Sequence, residues 1–530
     1  MKTNLVNLAL GLAFTAGTVS CQSQKNNPVF EHQGDTMTVV RIASPAKYLL
    51  LPVQESSNEG QVKLDTGSPA DTYMDVRLAT DSVEYYVPFA LPQGAAEAVV
   101  VVKNVAADAL CWDSIKVADI FDTTNRDKFR PVYHHTPLYG WMNDANGLVY
   151  KDGEYHLYFQ YNPYGSVWGN MHWGHSVSKD LVHWEHLDPA IARDTLGHIF
   201  SGSAVVDTKN SAGYGENTMV AFYTSASDKN GQIQCMAYST DNGRTYTKYE
   251  NNPVVTSTKR DFRDPKVFWY APGKHWVMIL AGGQEMDIYS SKNLKEWKYE
   301  SSFGAKQGAH GGVWECPDLV ELPVEGTKEK RWVLICNINP GGPFGGNAAQ
   351  YFVGTFNGKK FVNESPTQTK WMDWGKDHYA TVTWSDAPDN RRIAIAWMSN
   401  WQYANDVPTS QYRSPNSVPR DLSLFTVDGE TYLQSAPSPE LLKLRDVSKK
   451  RSFKVNGTRI IKDMIAGNEG AYEIELTIEN QHADVIGFRL YNDKGEEVDM
   501  QYDMKEKKFS MDRCKSGDVG FNENFPMLTW

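Results

Sequence analysis

The amino-acid sequence predicts an all-β protein, in which a five-bladed β-propeller follows an N-terminal β accessory domain and precedes a C-terminal β-sandwich. Three observations support this prediction. Short apolar runs recur five times in the middle of the chain, and their starts lie roughly 56 to 64 residues apart. Apolar and polar residues alternate on both sides of this repetitive part, as they do in half-buried strands. With 530 residues, of which 41% are hydrophobic, the chain can bury several cores.

The first 21 residues are typical of an export signal. Lys2 precedes an apolar run from Leu8 to Val19, which is short for a membrane span, and small residues then lead to Cys21. The last four residues of the signal resemble a bacterial lipoprotein processing site, although Thr18 stands where that pattern prefers leucine. We therefore expect export with lipidation of Cys21, and ordinary cleavage to a soluble product is the alternative. The expected location is the periplasm or outer membrane of a Gram-negative bacterium.

Residues 30–122 are predicted to form the N-terminal β accessory domain. The segments from Thr38 to Ile42 and from Val83 to Val87 read as short strands, and Ala98 to Val102 is a continuous apolar run. No cluster of aromatic residues marks a sugar-binding surface in this part of the sequence. We therefore interpret the domain as a structural appendage, with a sugar-binding module as the alternative.

The propeller is predicted over residues 128–425 because two sequence elements repeat there together. The first is an apolar run that usually opens on an aromatic or charged residue, and the second is a strand, a polar turn and a strand ending on an aromatic residue. The first element begins at Tyr155, Met219, His275, Arg331 and Arg392. Five four-stranded sheets arranged radially make a five-bladed propeller.

Residues 430–530 are predicted to form the C-terminal β-sandwich, since plain alternation replaces the repeat after about Leu422. The predicted strands are Tyr472 to Ile478, Val485 to Tyr491, Val498 to Tyr502 and Lys508 to Met511. These strands are few for a sandwich. We therefore expect an incomplete domain and a chain that is a shortened version of a longer protein.

Charge and cysteine content limit the partners of the protein. The formal net charge is -11 and there is no basic run, which argues against nucleic acid or an anionic membrane surface as a partner. A neutral substrate suits such a surface. The five cysteines after Cys21 are odd in number and scattered, so neither a disulfide framework nor a zinc site is indicated. We expect a monomer that needs no metal or other cofactor.

Three acidic motifs lie where successive blades begin, so their carboxylates can converge on the central channel. WMNDANG holds Asp144 in a predicted turn, FRDPK holds Asp264 between Arg263 and Pro265, and WECPD holds Glu315 between two apolar residues. Pro265 is expected to keep Asp264 extended. The apolar neighbours of Glu315 are expected to favour its neutral form. Each motif alone would be an ordinary turn or ion pair, but together they predict a carboxylate site.

With their neighbouring motifs, these residues resemble glycoside hydrolase family 32, the invertases, inulinases and levanases. The resemblance runs from about His134 to Arg420. The motifs that carry it are HHTPLYGWMNDANG, FQYNP, WGNMHWGHS, FSGSAV, FRDPKV, WECPDL and SVPRDL. The resemblance implies a retaining glycosidase that releases terminal fructose from levan, inulin or sucrose through a covalent fructosyl-enzyme intermediate.

The resemblance also implies roles for individual residues. Asp144 matches the nucleophile, Glu315 the general acid/base, and Asp264 the residue that stabilises the transition state, with Arg263 restraining the charge and orientation of Asp264. The positions expected to line the fructose pocket are Asn143, Gln160, Trp168 and Ser201, together with Arg263.

Two further expectations follow from the resemblance. A retaining mechanism requires the carboxyl carbons of Asp144 and Glu315 to lie roughly 5 to 5.5 Å apart. The family usually has a proline after the nucleophile, whereas this chain has Ala145, which loses a preset φ angle. Because Asp144 itself is present, we expect activity to be kept.

The sequence leaves three alternatives open. A catalytically silent fructan-binding protein would keep the pocket without turnover, and a fructosyl transferase would use the same intermediate with a sugar hydroxyl in place of water. A shortened chain could also fold poorly, because exposed sandwich edges favour aggregation. The preference among levan, inulin and sucrose depends on loops at the entrance, and the pocket expected from the resemblance favours exo-acting cleavage.

Overall fold

The computed structural model describes residues 27–124, 127–462, 470–479 and 482–530. The predicted export signal and Cys21 lie outside these residues. The described ranges contain 34 β-strands and one four-residue α-helix, so the predicted all-β fold is confirmed. In these same ranges no helix is long and apolar enough to cross a membrane.

Eight strands and one helix form an N-terminal β unit of two sheets. The strand orders are β1-β2-β7-β4-β5 and β6-β3-β8. The two sheets enclose one apolar core that includes Val40, Leu51, Val87 and Trp112. The elements are β1 (Val29–His32), β2 (Met37–Ala43), β3 (Tyr48–Val53), β4 (Gly60–Leu64), β5 (Met74–Val76), β6 (Tyr85–Ala90), β7 (Glu97–Lys103), α1 (Cys111–Ser114) and β8 (Lys116–Ala118).

Five antiparallel sheets follow, and the strands of each sheet are paired in chain order. Sheets one and two comprise β9 (Gly140–Lys151), β10 (Glu154–Asn162), β11 (His172–Ser178), β12 (Glu185–Ile191), β13 (His198–Asp207), β14 (Thr218–Ser227), β15 (Gly231–Ser239) and β16 (Thr247–Lys248). Sheets three and four comprise β17 (Phe262–Tyr270), β18 (His275–Gly282), β19 (Met286–Ser291), β20 (Lys298–Phe303), β21 (Val313–Pro323), β22 (Lys330–Asn339), β23 (Ala348–Phe356), β24 (Phe361–Asn363) and β25 (Lys370–Trp371). Sheet five comprises β26 (Tyr379–Thr383), β27 (Ile393–Trp397), β29 (Arg420–Val427) and β30 (Glu430–Pro437), while β28 (Tyr412–Arg413) pairs in parallel with β9.

The first strands of the five sheets contact one another in a closed ring, which is the arrangement of a propeller. Four of the contacts join one first strand to the next, and the last is made by the backbone N–H of Ser385, two residues after β26. The contacts are Asn146 with Gly202 (3.2 Å), Ser203 with Pro265 (2.8 Å), Lys266 with Asp318 (3.0 Å), Asp318 with Thr383 (2.6 Å) and Ser385 with Leu148 (2.9 Å). The apolar runs that repeat in the sequence are the second strands of these sheets.

Every first strand is irregular where it passes the channel. Register shifts interrupt the pairing of each first strand with its second strand, as between Ile199 and Gly202 or between Arg263 and Lys266. At Gly202 the strands are so close that a Cβ atom would lie 1.9 Å from the carbonyl oxygen of Phe222, and glycine is therefore required. Such bulges re-aim side chains, and here they turn them towards the channel.

After the propeller, the described residues form a short 3₁₀ segment at Pro439–Leu444 and one four-stranded sheet. This C-terminal sheet has the order β31-β32-β33-β34, with bounds Val485–Tyr491, Glu497–Asp503, Lys508–Lys515 and Leu528–Thr529. The strand predicted from Tyr472 to Ile478 is wrong, since residues 471–479 are not in a strand. Its alternating apolar residues are exposed, because no strand of the described residues pairs with them.

Candidate active site

Two aspartates from different blades meet at one cysteine in the channel. Asp144 lies inside β9, and Asp264 lies inside β17. The Cys316 thiol donates to Oδ2 of Asp144 at 3.2 Å, and the Cys316 backbone N–H donates to Oδ2 of Asp264 at 2.8 Å. Asp144 also accepts hydrogen bonds from Ser201 Oγ at 2.6 Å and from Asn143 Nδ2 at 3.1 Å. The predicted turn at WMNDANG is therefore wrong, since the whole motif is part of a bulged strand.

Glu315 belongs to β21 and has polar partners on both carboxylate oxygens. Its Oε1 accepts hydrogen bonds from Arg263 Nε at 3.1 Å and Nη2 at 2.9 Å. Its Oε2 accepts a short hydrogen bond from the Tyr379 hydroxyl. The expectation of an apolar setting for Glu315 is wrong, because alternation along β21 turns its side chain away from the buried Trp314 and towards the blades beside it.

Arg263 bonds a different acid from the one that adjacency in sequence suggested. It was expected to orient Asp264, but its guanidinium donates to Glu315, to Asp261 at 3.0 Å and to Gln232 at 3.1 Å. Successive residues of a strand point to opposite sides, so the side chains of neighbours in sequence diverge. Arg263 still acts on Asp264 through its positive charge.

The backbone of Asp264 also differs from the prediction. Its φ angle is 66°, in the left-handed region, so the extended backbone that a following proline favours is not adopted and the prediction is wrong. The register shift between Arg263 and Lys266 places this residue in a bulge, and the Asp264 N–H donates to Thr224 Oγ1 at 3.0 Å. The bulge turns the Asp264 carboxylate towards Cys316, which a regular strand at this position would not do.

Burial and mutual repulsion control the protonation of these acids. Burial and the nearby charge of Glu315 raise the pKa of Asp144 above its ordinary value. Burial raises the pKa of Asp264 to about 7, with a contribution from Glu315 and Asp144 that the positive charge of Arg263 opposes. The charge of Asp144 acts on Asp264, so the protonation of the two aspartates is linked. At pH values below about 7 the site therefore keeps a proton among its acids.

Two neutral donors complete the site, and the sequence reasoning did not identify them as such. Burial raises the pKa of the Cys316 thiol and of the Tyr379 hydroxyl well above their ordinary values, with the neighbouring carboxylates adding to the effect. Both groups thus stay protonated and donate to carboxylates. Cys316 was visible in WECPD only as an apolar neighbour. Tyr379 opens β26, and the first-strand position in the fifth blade was the signal that could have identified it.

The predicted pocket residues lie at different distances from the acids. Asn143, Ser201 and Arg263 bond directly to them, as described above. Gln160 is buried on β10 and donates to the carbonyl oxygen of Ile199 at 3.0 Å, close to Ser201 in sequence. Trp168 lies further out, 40% exposed, with its ring edge-to-face with Phe200.

This arrangement has the components of acid–base and nucleophilic catalysis. Asp144 offers a carboxylate that accepts hydrogen bonds from several donors. Glu315 offers a carboxyl group bonded to the Arg263 guanidinium and the Tyr379 hydroxyl. Asp264 offers a carboxyl group whose raised pKa lets it retain a proton. Among the described residues, no group of three His, Cys, Asp or Glu side chains is arranged to hold a metal ion.

Comparison with known proteins relates most of the chain to one family. The family model for the glycosyl hydrolases family 32 N-terminal domain matches residues 134–437, and that for the family 32 C terminal matches residues 440–529. Residues 34–133 match a domain of unknown function (DUF4980).

Individual relatives agree with these matches. A levanase of Bacillus subtilis (strain 168) is 49% identical over 422 residues, covering 77% of this chain and 62% of the levanase. The extracellular exo-inulinase of Aspergillus awamori is 36% identical over 438 residues, covering 75% of this chain and 81% of the inulinase. The structure of a fructofuranosidase from Schwanniomyces occidentalis complexed with fructose has a TM-score of 0.66 and 34% identity, covering 77% of this chain and 84% of that one. The chain thus spans less than two thirds of the length of the Bacillus subtilis levanase.

Proposed function

The chain belongs to glycoside hydrolase family 32, and on that premise we propose that it is a retaining β-fructosidase that releases terminal fructose from β-fructans. Levan, inulin and, as a smaller substrate, sucrose are the substrates of this proposal. The observation that carries it is the meeting of Asp144, Asp264 and Glu315 in one channel, with Cys316 bonded to both aspartates. The names of the levanase and exo-inulinase relatives support the same substrate class.

In the proposed reaction, Asp144 is the nucleophile and Glu315 is the general acid/base. An Asp144 carboxylate oxygen forms a bond to the anomeric carbon of fructose while the glycosidic bond breaks. Glu315 gives its proton to the departing oxygen, and in the second step it takes a proton from water, which displaces Asp144. Ser201, Asn143 and Cys316 hold the nucleophile, while Arg263 and Tyr379 hold Glu315.

The other site residues are proposed to bind the fructose. Asp264 would accept hydrogen bonds from its hydroxyls and stabilise the positive charge that develops on the ring. Asn143, Gln160, Trp168, Ser201 and Arg263 would form the walls of the pocket. The separation of roughly 5 to 5.5 Å between the carboxyl carbons of Asp144 and Glu315 stays a prediction of the retaining mechanism.

The test is to incubate the purified protein with levan and with inulin, beside an Asp144→Ala variant, and to follow the products by chromatography. Free fructose as the sole product, dependent on Asp144, is the expected result and would also show the preferred linkage. A ladder of oligosaccharides would show that cleavage is endo-acting and not exo-acting. New, longer fructans would indicate transfer, and the absence of any product would favour a binding protein.

We also propose that the chain is exported and carries a lipid on Cys21. The apolar run before Cys21 and the extracellular location in the name of the Aspergillus awamori relative support export. Metabolic labelling with palmitate should mark the full-length chain and not a Cys21→Ser variant, which should leave the membrane fraction. The monomeric state stays a prediction that light scattering of the purified protein tests.

The domain bounds expected from the sequence are residues 30–122, 128–425 and 430–530, and the fifth sheet carries the propeller further, to the end of β30 at Pro437. The matched ranges 34–133, 134–437 and 440–529 support a division into three parts. Limited proteolysis should therefore cut first near residues 122–128 and after Pro437.

A further inference from the structure

A second cleft lies between the N-terminal β unit and the propeller. Its volume is about 480 Å³, within the range of about 300–1,000 Å³ that is usual for small-molecule sites. The N-terminal β unit forms one wall and the loops of the first and fifth blades form the other. Its lining includes Glu55, Ser56, Arg77, Trp168, Asn405 and Arg413.

The two walls of the cleft are firmly joined. Glu55 Oε1 accepts hydrogen bonds from the backbone N–H and the hydroxyl of Ser166, at 3.0 and 2.7 Å, and from the Tyr85 hydroxyl. Asp75 on β5 donates its N–H to Asn170 Oδ1 at 2.8 Å and accepts from Asn170 Nδ2 at 2.6 Å. Ser166 and Asn170 belong to the loop between β10 and β11. The N-terminal β unit therefore fixes the loop that carries Trp168.

The cleft is lined mainly by polar residues, among them Glu55, Ser56, Arg77 and Arg413. Oε2 of Glu55 and Nε of both arginines are buried and lie behind this surface, without a hydrogen-bond partner in the part of the chain that the structure describes. A carboxylate that accepts, guanidinium groups that donate and a hydroxyl that does both around a single cleft complement the hydroxyl groups of a sugar.

Trp168 connects this cleft to the carboxylates. Its ring is stacked on that of His198 at 6.2 Å and is edge-to-face with Phe200 at 6.0 Å, and the backbone N–H of Trp168 donates to Asn405 Oδ1 at 3.2 Å. Phe200 immediately precedes Ser201, which donates to Asp144. An exposed indole ring offers a flat apolar surface on which a sugar ring can stack. A saccharide with its terminal fructose at Asp144 can therefore extend past Trp168 into the cleft.

The charges in the cleft favour a neutral ligand. Glu55 and Asp406 are balanced by Arg77 and Arg413 among the lining residues. Burial lowers the pKa of Arg413, and the charges of Glu55 and Asp406 counteract this. A strongly anionic polymer would gain little here, because the acidic groups would repel it.

We propose that this cleft binds the sugar units that follow the terminal fructose of a β-fructan chain, so that the N-terminal β unit gives the enzyme its preference for long substrates. The proposal rests on the proposed function and deepens it. It also replaces the interpretation of the N-terminal region as a purely structural appendage.

The first experiment compares a polymer with a disaccharide. A Ser56→Trp variant fills the cleft from an exposed turn, and an Arg77→Gln variant removes a cation from its wall. For Ser56→Trp we expect kcat/KM on levan or inulin to fall about ten-fold relative to sucrose, mostly through KM, because subsite contacts add binding energy only for substrates that reach them. The effect of Arg77→Gln should have the same sign and be smaller.

The matched control is Val29→Trp, which adds the same bulk at an exposed position on β1, the edge of its sheet opposite to β5. It should leave the ratio of polymer to sucrose turnover unchanged. The proposal is overturned if Ser56→Trp also leaves this ratio unchanged, or if it lowers both activities equally.

A binding experiment separates this proposal from the proposed function. Calorimetry with the Asp144→Ala protein should show tighter binding of an inulin oligosaccharide of about five units than of sucrose, and Ser56→Trp should remove that difference. If the intact protein releases no fructose but this difference is present, the proposed activity fails and the cleft stands. If oligosaccharide and sucrose bind alike, the cleft is not a subsite.

Discussion

The first strands of blades three and four, β17 and β21, position their acids with the same kind of bulge. They differ in whether a cation is hydrogen-bonded to the acid. In each strand a residue with a left-handed φ angle precedes a proline at a bulge, namely Asp264 at 66° and Cys316 at 43°. In β17 that residue is the acid itself, which is 5% exposed. In β21 the acid is the residue before it, Glu315, which is partly exposed and bonded to Arg263 and Tyr379.

The difference shows that the bulge fixes where a carboxyl group lies, whereas its partners decide how it is charged. Asp264 has no cation hydrogen-bonded to it among the described residues, and burial raises its pKa to about 7. Glu315, in contrast, accepts hydrogen bonds from both the Arg263 guanidinium and the Tyr379 hydroxyl. The two strands therefore present one buried carboxyl group with a raised pKa and one carboxyl group that Arg263 and Tyr379 hold in place.

The largest effect is expected from Glu315→Gln. This substitution keeps the shape of the β21 side chain but removes its ability to donate and accept the proton. General acid–base groups contribute about 10²- to 10⁴-fold, so fructose release from levan should fall by that factor. The variant should lose much less activity on a nitrophenyl β-fructofuranoside, whose leaving group needs no proton. An equal loss on both substrates, measured as kcat/KM, would contradict the role of Glu315 as acid.

Asp144→Asn is the matched control for this prediction. It removes the nucleophile, so it should abolish turnover of the activated and the natural substrate alike. If Asp144→Asn kept its activity on the activated substrate, the roles of the two acids would have to be exchanged.

Arg263→Met should have the next largest effect, because it removes the cation that is hydrogen-bonded to Glu315 in β21. We expect kcat to fall about 100-fold, as for the loss of a group that orients an acid in the transition state. The loss of a positive charge raises the pKa of Asp264, so the acidic limb of the pH–rate profile, which requires the Asp264 carboxylate, should move to higher pH. Arg263→Lys keeps the charge and should show a smaller shift of the profile, although it loses the two bonds to Glu315 Oε1.

The sequence predicted the all-β fold, the blades and the identity of the three acids, because these depend on periodicity and on motifs that are local. It did not predict the partners of these acids. Arg263 was assigned to Asp264 by adjacency, but it bonds Glu315 on the next blade, and Tyr379 comes from a blade in which no acidic motif was noticed. Contacts between blades depend on bulges and on strand twist, which no local pattern records. For the same reason the sequence did not predict the cleft between the N-terminal β unit and the propeller, because its walls come from parts of the chain that lie far apart in sequence.

Tyr379→Phe should have a moderate effect, because Arg263 still holds Glu315 when the hydroxyl is gone. We expect kcat to fall about ten-fold with little change in KM, in line with the loss of one hydrogen bond to a charged group. Tyr403→Phe is the matched control, since it removes a buried hydroxyl that bonds Asp377 and Arg513 outside the site. Tyr403→Phe should lower the thermal stability and leave kcat unchanged. A similar kcat for Tyr379→Phe and the unmodified protein would exclude a part for this hydroxyl in catalysis.

The last prediction concerns stability and not activity, and here Asp264→Asn should stabilise the protein. The carboxyl group has a raised pKa of about 7 in the folded state, so above that pH folding must bury a carboxylate that the unfolded chain keeps in water. Removing the charge should add on the order of 2 to 4 kcal/mol to the free energy of unfolding at about pH 8. The gain should shrink as the pH falls towards about 4, where the acid is neutral in the folded state and about half neutral in the unfolded one.

Calorimetric unfolding temperatures at several pH values measure this difference, with Asp287→Asn as the matched control. Asp287 is equally buried but forms an ion pair with Lys259 at 2.7 Å. Loss of one partner from such a pair is destabilising, so this variant should unfold at a lower temperature. If Asp264→Asn instead destabilised the protein at about pH 8, the Asp264 carboxylate would have to be better compensated by its hydrogen bonds from Cys316 than its burial implies. The contrast between β17 and β21 would then rest on geometry alone.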